Sequence, residues 1–242
     1  MSKTVKPYAP EGSKKEQVSQ MFDNIAPKYD FLNRLLSARM DTVWRKNMIN
    51  KLRKDHPKVF LDVATGTADV ALEIAKRLEP QRIIGLDISH EMLEYGRKKV
   101  TKKDLDDTIE LVLGDSENLP FEDNSFDAIT AAFGVRNFEN LEKGLAEMRR
   151  VLRPGGQLVI LEFSQPTMFP FKQIYNGYFK YILPNIGRLT SKDPKAYNYL
   201  YESVQAFPDG KDFANVLAKV GFSENTIDPQ TLGICTIYTG RK

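Results

Sequence analysis

The chain has 242 residues, 35 of them basic and 32 acidic, with 41% hydrophobic content, enough for one buried core of ordinary to large size. Its net charge of +3 is spread along the sequence and not massed into a stripe, so no nucleic-acid partner is expected. A lone cysteine, Cys235, excludes an internal disulfide and a cysteine-based metal cluster. No run is long enough to span a bilayer and the N-terminus lacks the apolar core of a signal peptide, so a cytoplasmic location is expected.

Residues 1–12, with Pro7, Pro10 and Gly12, read as a flexible arm. Ser13-Lys14-Lys15-Glu16 has the form of a capping box, opening a helix whose Val18, Met21, Phe22 and Ile25 share one face. A further helix is expected from about Asp41 to Arg53, through Val43, Trp44, Met48, Ile49 and Leu52. These N-terminal cover helices, within 13–55, precede the sheet and are placed to roof a pocket. From Val59 onward strands at about 58–64, 82–88, 108–114, 126–133 and 157–163 alternate with helices at about 69–78, 89–102 and 139–152, which predicts a parallel sheet with helices on both faces. The chain closes with a helix near Phe213 to Lys219 and two strands, about 222–227 and 233–239, joined through Asp228-Pro229. That short connection allows an antiparallel last strand in a mostly parallel seven-stranded α/β sheet, and residues 13–242 read as one domain.

Between the fifth strand and the last helix lies an insertion, 164–210. Its stretch from Phe169 to Phe207 holds ten of the chain's 14 Phe, 10 Tyr and 1 Trp. At the carboxyl ends of the strands, where open α/β sheets bind ligands, such a segment is placed to be a lid over an apolar, ring-containing substrate. Lys172, Lys180, Arg188, Lys192 and Lys195 are interspersed among the rings, a pattern that supports peripheral contact with an anionic membrane surface. Edge strand and lid would support a homodimer without requiring one.

The turn Leu61-Asp62-Val63-Ala64-Thr65-Gly66-Thr67-Ala68-Asp69, followed about twenty residues later by Asp87, describes a nucleotide-cofactor pocket. Asp87 ends a strand where a carboxylate can accept from both ribose hydroxyls. A pyrophosphate needs three glycines in the turn, whereas here the small positions read Ala64, Gly66 and Ala68. S-adenosylmethionine has no phosphate to cradle, so the departure favours it over a dinucleotide. One strand later, Gly114-Asp115-Ser116 offers a second polar strand end.

Four segments in order, Asp62 to Asp69, Met21-Phe22-Asp23-Asn24-Ile25-Ala26-Pro27-Lys28-Tyr29-Asp30-Phe31-Leu32-Asn33, Phe133-Gly134-Val135-Arg136-Asn137 and Leu161-Glu162-Phe163-Ser164-Gln165-Pro166, closely resemble the ubiquinone and menaquinone biosynthesis C-methyltransferases. The resemblance runs from about Ser13 to the C-terminus. It implies a class I S-adenosylmethionine-dependent methyltransferase (Rossmann-like) fold and methylation of a ring carbon of a polyprenylated quinol, demethylmenaquinol being the substrate favoured over the benzoquinol precursor of ubiquinone. The family's cofactor contacts carry over to Gly66, Thr67, Asp87, Asp115 and Ser116, the Asp115 position meeting the adenine amino group. Ala68, where many members have glycine, is expected to tighten the pocket slightly.

A ring carbon becomes a useful nucleophile when the neighbouring hydroxyl, with a pKa near 10, gives up its proton. Arg136 is suited to stabilising the resulting oxyanion, since a guanidinium does not deprotonate, and Asn137 to orienting the same oxygen. Asp30, directly or through a water, is the candidate base, with Tyr29 as relay. Other readings of these residues stay open: an ion pair of Arg136 with Glu162, a helix cap at Asp30, a packing role for Tyr29. A nicotinamide-dependent dehydrogenase and a non-catalytic S-adenosylmethionine sensor are the rivals from other classes. The first lacks the glycines and a Tyr-x-x-x-Lys pair, and the second would leave Arg136 and Asn137 without work.

Overall fold

The computed structural model describes residues 5–177, 193 and 195–242. Seven strands, β1 (Val59–Val63), β2 (Arg82–Asp87), β3 (Ile109–Leu113), β4 (Phe126–Ala132), β5 (Leu152–Phe163), β6 (Ser223–Gln230) and β7 (Cys235–Arg241), form one sheet in the order β3-β2-β1-β4-β5-β7-β6. β1 pairs parallel with β2 and β4, β2 with β3 and β4 with β5, while β7 runs antiparallel to both β5 and β6. The sheet is therefore mostly parallel with an antiparallel last strand. Its order reverses at β1, the point at which α/β sheets open a crevice for ligands.

The parallel strands read as apolar runs because both faces are covered. Side chains alternate across the sheet: Leu61, Ile84, Ile129 and Leu158 join α6 (Leu141–Val151) and α9 (Gly210–Val220) on one side. Phe60, Ile83, Ala128 and Val159 join α3 (Met40–Asn50), α4 (Asp69–Arg77) and α5 (His90–Thr101) on the other. A third cluster, Val18, Met21, Leu32, Tyr175, Ala196 and Tyr199, joins α1 (Lys14–Ile25) and α2 (Tyr29–Leu36) to α7 (Phe171–Gly177) and α8 (Lys195–Ala206). Cys235 is fully buried among apolar neighbours.

Several boundaries differ from the sequence expectation, each for a local reason. No element was expected between the first helix and Asp41, yet Tyr29–Leu36 forms a helix that buries Leu32. β5 starts at Leu152 because Leu152 pairs with Phe126 before a register shift, and Gly155 at φ 77° carries the bend. Asp228-Pro229 is not the link between the last two strands: both lie in β6, Pro229 opposite Thr236, and the link is Thr231–Gly233. A proline is tolerated there because β6 is an edge strand. Residues 5–12, read as an arm, lie against α1, where the Gln17 amide accepts from the N–H groups of Tyr8 and Ala9 and donates to the carbonyls of Ala9 and Glu11. Ser13 caps α1 by accepting from the Glu16 N–H. In the insertion, Tyr178, Phe179, Tyr181, Lys180, Arg188 and Lys192 lie outside the described residues.

Gly134, after β4, passes so close to the β1–α4 turn that a Cβ on it would overlap the Ala64 side chain. Gly134→Ala is expected to destabilise the protein by about 1–3 kcal/mol through this overpacking, read as a lower urea midpoint, whereas Gly177→Ala, where the space is open, should leave the midpoint near that of the parent.

Candidate active site

The turn between β1 and α4 is held in a left-handed zigzag, with Ala64, Gly66 and Ala68 at φ 53°, 55° and 64°. Buried Asp62 braces it: its carboxylate accepts from the Thr65 hydroxyl at 2.6 Å and from Thr130 on β4 at 2.7 Å. Burial pushes the Asp62 carboxyl up to about 6, against the two hydroxyl bonds that favour its ionised form. Sequence reading passed over this residue, although an acid inside an otherwise apolar strand was the visible signal. Ala68 does not tighten the pocket as expected. It is fully buried under the turn, near Gly96, and does not line the cavity; its departure from glycine places a Cβ at positive φ instead.

One cavity opens at this turn. Gly66, Asp87, Asp115 and Ser116 line it, together with Ala64, Gly134, Asn137 and, from α1, Lys15, Val18 and Phe22. Asp87 accepts from the Gly66 N–H at 2.7 Å and the Ser89 N–H at 2.9 Å, one on each carboxylate oxygen. With the Ile88 N–H also bonding it, the carboxylate still has acceptor capacity for a ribose hydroxyl. A Cβ on Gly66 would meet nothing within 4 Å, so the backbone there is open to a ligand. Asp115 accepts from the Glu117 N–H and forms an ion pair with Lys15, which draws α1 across the cavity. Acceptors at two successive strand ends and an uncharged, glycine-opened turn fit S-adenosylmethionine. Thr67 departs from its expected place: its hydroxyl donates to Asp30 at 2.6 Å and the residue does not line this cavity.

A second cavity of about 370 Å³ adjoins the first, sharing Phe22, Tyr29 and Phe133 with it. Its walls are largely apolar and aromatic, among them Trp44, Phe163, Phe171, Tyr175 and Tyr199, and include Arg45 and Arg136. Arg136 is almost fully buried and pairs with fully buried Glu162 at 2.8 Å. Its Nη1 also donates to the Phe133 carbonyl, its guanidinium lies 5.4 Å from the centre of the Phe163 ring, and its Nε has no partner. Burial pushes Glu162 above the usual carboxylate range, opposed by Arg136 and by N–H bonds from Phe163 and Arg136. Thus Arg136 is ion-paired, as one sequence reading had it, and it also lines the cavity.

The remaining candidates separate. Tyr29 stands where the two cavities meet, edge-on to Phe22, with its hydroxyl bonded to Asn33 and pushed upward by burial. Asn137 lines the cofactor-type cavity and not the larger one, and its Oδ1 accepts from the Tyr199 hydroxyl at 3.1 Å. Asp30 lines neither cavity; Thr67 and Lys99 hold its carboxylate at 2.6 and 2.8 Å. The only carboxylate among the described residues lining the larger cavity is Asp41, which already accepts from Arg34, Arg45 and Ser37.

Burial pushes the Asp87 carboxyl up to about 6, against N–H bonds from Ser89 and Gly66. A ligand whose hydroxyls donate to Asp87 binds the ionised form, so its affinity is retained above that pKa and lost as the pH falls through it. S-adenosylmethionine affinity measured by calorimetry is therefore expected to fall by up to about tenfold per pH unit below about pH 6. Asp87→Asn should bind more weakly and lose this pH dependence.

The profile of the ubiE/COQ5 methyltransferase family matches residues 11–242. A demethylmenaquinone methyltransferase of Bacteroides fragilis is 50% identical over 238 residues, 98% of this chain and 97% of its own length, and that of Porphyromonas gingivalis 45% identical over 239 residues, 98% of each. A ubiquinone/menaquinone biosynthesis C-methyltransferase of Geotalea daltonii is 48% identical over 230 residues, 95% of this chain and 97% of its own. Among solved structures, a SAM-dependent methyltransferase of Thermotoga maritima aligns with a TM-score of 0.66 at 17% identity, covering 93% of this chain and 99% of its own; this supports the fold. With profile, relatives and geometry in agreement, the chain belongs to the ubiE/COQ5 methyltransferase family and is an S-adenosylmethionine-dependent enzyme.

Proposed function

We propose that the protein methylates a ring carbon of demethylmenaquinol, yielding menaquinol. The observation that carries this is the aromatic cavity of about 370 Å³ that abuts the cofactor-type cavity at Tyr29 and is lined by Arg136. The relatives named for demethylmenaquinone support the choice of the naphthoquinol ring.

When bound, S-adenosylmethionine supplies an electrophilic methyl group on a sulfonium. The protein's task is to raise the nucleophilicity of the ring carbon. Arg136, fixed by Glu162, donates from its guanidinium to the ring oxygen beside that carbon and favours its ionised form. Tyr29, kept neutral because burial raises its pKa, donates a hydrogen bond at the junction and closes it against solvent. The one carboxylate lining the larger cavity among the described residues, Asp41, is already ion-paired, so the hydroxyl proton leaves to solvent at the cavity mouth as the oxyanion forms, and the proton on the methylated ring carbon is lost after the carbon–carbon bond has formed and the carbon–sulfur bond has broken. Asp30 acts as a fastener in this account, tying α2 to the turn through Thr67 and Lys99. Asn137 orients Tyr199 and borders the cofactor.

A polyprenyl tail must leave the cavity. Phe171 and Leu232 line it while remaining 38% and 51% exposed, and Met168 and Phe169 nearby in sequence are 58% and 77% exposed. No helix among the described residues is long and apolar enough to cross a membrane. Peripheral contact of this apolar rim with a bilayer, aided by exposed Lys172 and Lys195, would let the ring enter while the tail stays in lipid. Flotation with anionic vesicles containing the quinol should carry the protein upward, and absence from the lipid fraction with and without quinol would remove the membrane contact.

Radiolabelled methyl transfer to reduced short-chain analogues of demethylmenaquinol and of the ubiquinone precursor, run side by side, tests the function. Label in the naphthoquinol is expected; label in the benzoquinol alone would move the enzyme to the other pathway. Arg136→Ala should lower kcat by about 10²- to 10³-fold with S-adenosylmethionine binding intact, whereas Asp30→Asn should act mainly on stability.

A further inference from the structure

The aromatic insertion reaches the cofactor-type cavity through a buried hydrogen bond. Tyr199, on α8, lines the larger cavity, and its hydroxyl donates to Oδ1 of Asn137 at 3.1 Å. Asn137 ends the short turn Val135–Asn137 that follows β4, and it lines the cofactor-type cavity. α8 packs against that turn.

The backbone around Asn137 is fixed from two sides. Its N–H donates to the Gly134 carbonyl at 3.0 Å, and the Lys14 ammonium on α1 donates to the carbonyls of Arg136 and Phe138 at 3.1 and 2.8 Å. What keeps a choice is the terminal amide, which can turn over and exchange its acceptor for its donor. Among the described residues the Tyr199 hydroxyl bonds Asn137 alone. Burial pushes that hydroxyl above the usual phenol range, so it keeps its proton. With the amide reversed, this buried O–H would lose its acceptor, and buried donors are rarely left without one. Tyr199 therefore selects one of the two amide orientations.

In that orientation Nδ2 occupies the other branch of the amide. It bonds no described residue, and it is not among the unpartnered polar atoms sealed from solvent. Two further donors on the same cavity are already engaged, the Gly66 N–H with Asp87 and the Lys15 ammonium with Asp115. S-adenosylmethionine brings donors for Asp87 and Asp115, but it also carries acceptors, a carboxylate among them, that need an N–H. We propose that Tyr199 is a positioning residue for the cofactor: by holding Oδ1 of Asn137 it turns the Nδ2 N–H toward an acceptor of bound S-adenosylmethionine. A segment placed as a substrate lid thereby also sets the affinity for the cofactor.

The test is cofactor binding in the absence of any quinol, so the identity of the methylated ring does not enter. Calorimetry gives the S-adenosylmethionine affinity of the parent, Tyr199→Phe, Asn137→Ala and the double variant, with urea midpoints alongside. Tyr199→Phe removes the hydroxyl, keeps the ring and should bind roughly 3- to 10-fold more weakly. Asn137→Ala should lose at least as much, and the double variant should match Asn137→Ala within about twofold, because the hydroxyl acts through the amide. A merely structural hydroxyl would weaken binding equally with or without Asn137, so losses that multiply in the double variant would overturn the role of Tyr199. Parent-like affinity of either single variant would overturn it as well. In the parent, the side-chain N–H signals of Asn137, assigned through Asn137→Ala, should shift on addition of S-adenosylmethionine. Unmoved signals would overturn the contact, even where Tyr199→Phe fails to fold.

Discussion

Everything at the carboxyl edge of the sheet depends on Asp62, a carboxylate buried inside β1. Its bonds to Thr65 and Thr130 join the cofactor turn to the neighbouring strand β4, so the turn and the segment carrying Phe133 to Asn137 move as one body. An ionised carboxylate is expensive to bury, and the raised pKa of Asp62 is the sign of that cost. The cost is offset in part by the Thr65 and Thr130 hydroxyls and by the attraction of Arg45, and these bonds hold a turn with two alanines and one glycine at positive φ. From that fixed turn the Gly66 N–H reaches Asp87 on β2, and three strands share one rigid rim.

The N-terminal helices are locked to this rim by charge and not by apolar packing alone. Lys99 on α5 bonds Asp30 and Asp69, Arg34 on α2 bonds Asp41 and Asp69, and Arg45 on α3 bonds Asp41. Asp69 is held at about 2 because the attraction of Arg45, Lys99 and Arg34 overcomes its burial. On the far side of the turn, Lys15 reaches Asp115 while buried Lys14 donates to the carbonyls of Arg136 and Phe138. Burial and the nearby Arg136 lower Lys14 to about 8, which marks how deeply α1 is set into the site. The covering helices are thus part of the walls of both cavities.

The larger cavity combines an aromatic lining with two arginines whose charges are already answered by carboxylates. Such a surface is apolar enough to admit a lipid-borne ring and polar only at fixed points. Placement of Tyr29, Phe22 and Phe133 on both cavities makes the junction between them aromatic.

The period-2 and helical patterns from Val59 onward were legible because each strand is short, apolar and flanked by turn residues, and local patterning is what decides those elements. That Gly66, Asp87, Asp115 and Ser116 would line one cavity was legible for a related reason: strand ends at a switch point in an α/β sheet open onto the same crevice. Family likeness carried Arg136 and Tyr29. Asp30 and Thr67 line neither cavity, and sequence spacing cannot tell which way a side chain turns once Lys99, sixty-nine residues on from Asp30, competes for it. Asp62 escaped for a related reason, its bracing role being set by Thr130 on another strand, whereas the pairing of Arg136 with Glu162 was among the readings the sequence offered. The sequence by itself determined the elements, the class of cofactor and the family, since these follow from local propensity and motif. Only the tertiary structure decided which charges are spent on one another and which donors remain for a ligand, because that depends on distances between segments far apart in the chain.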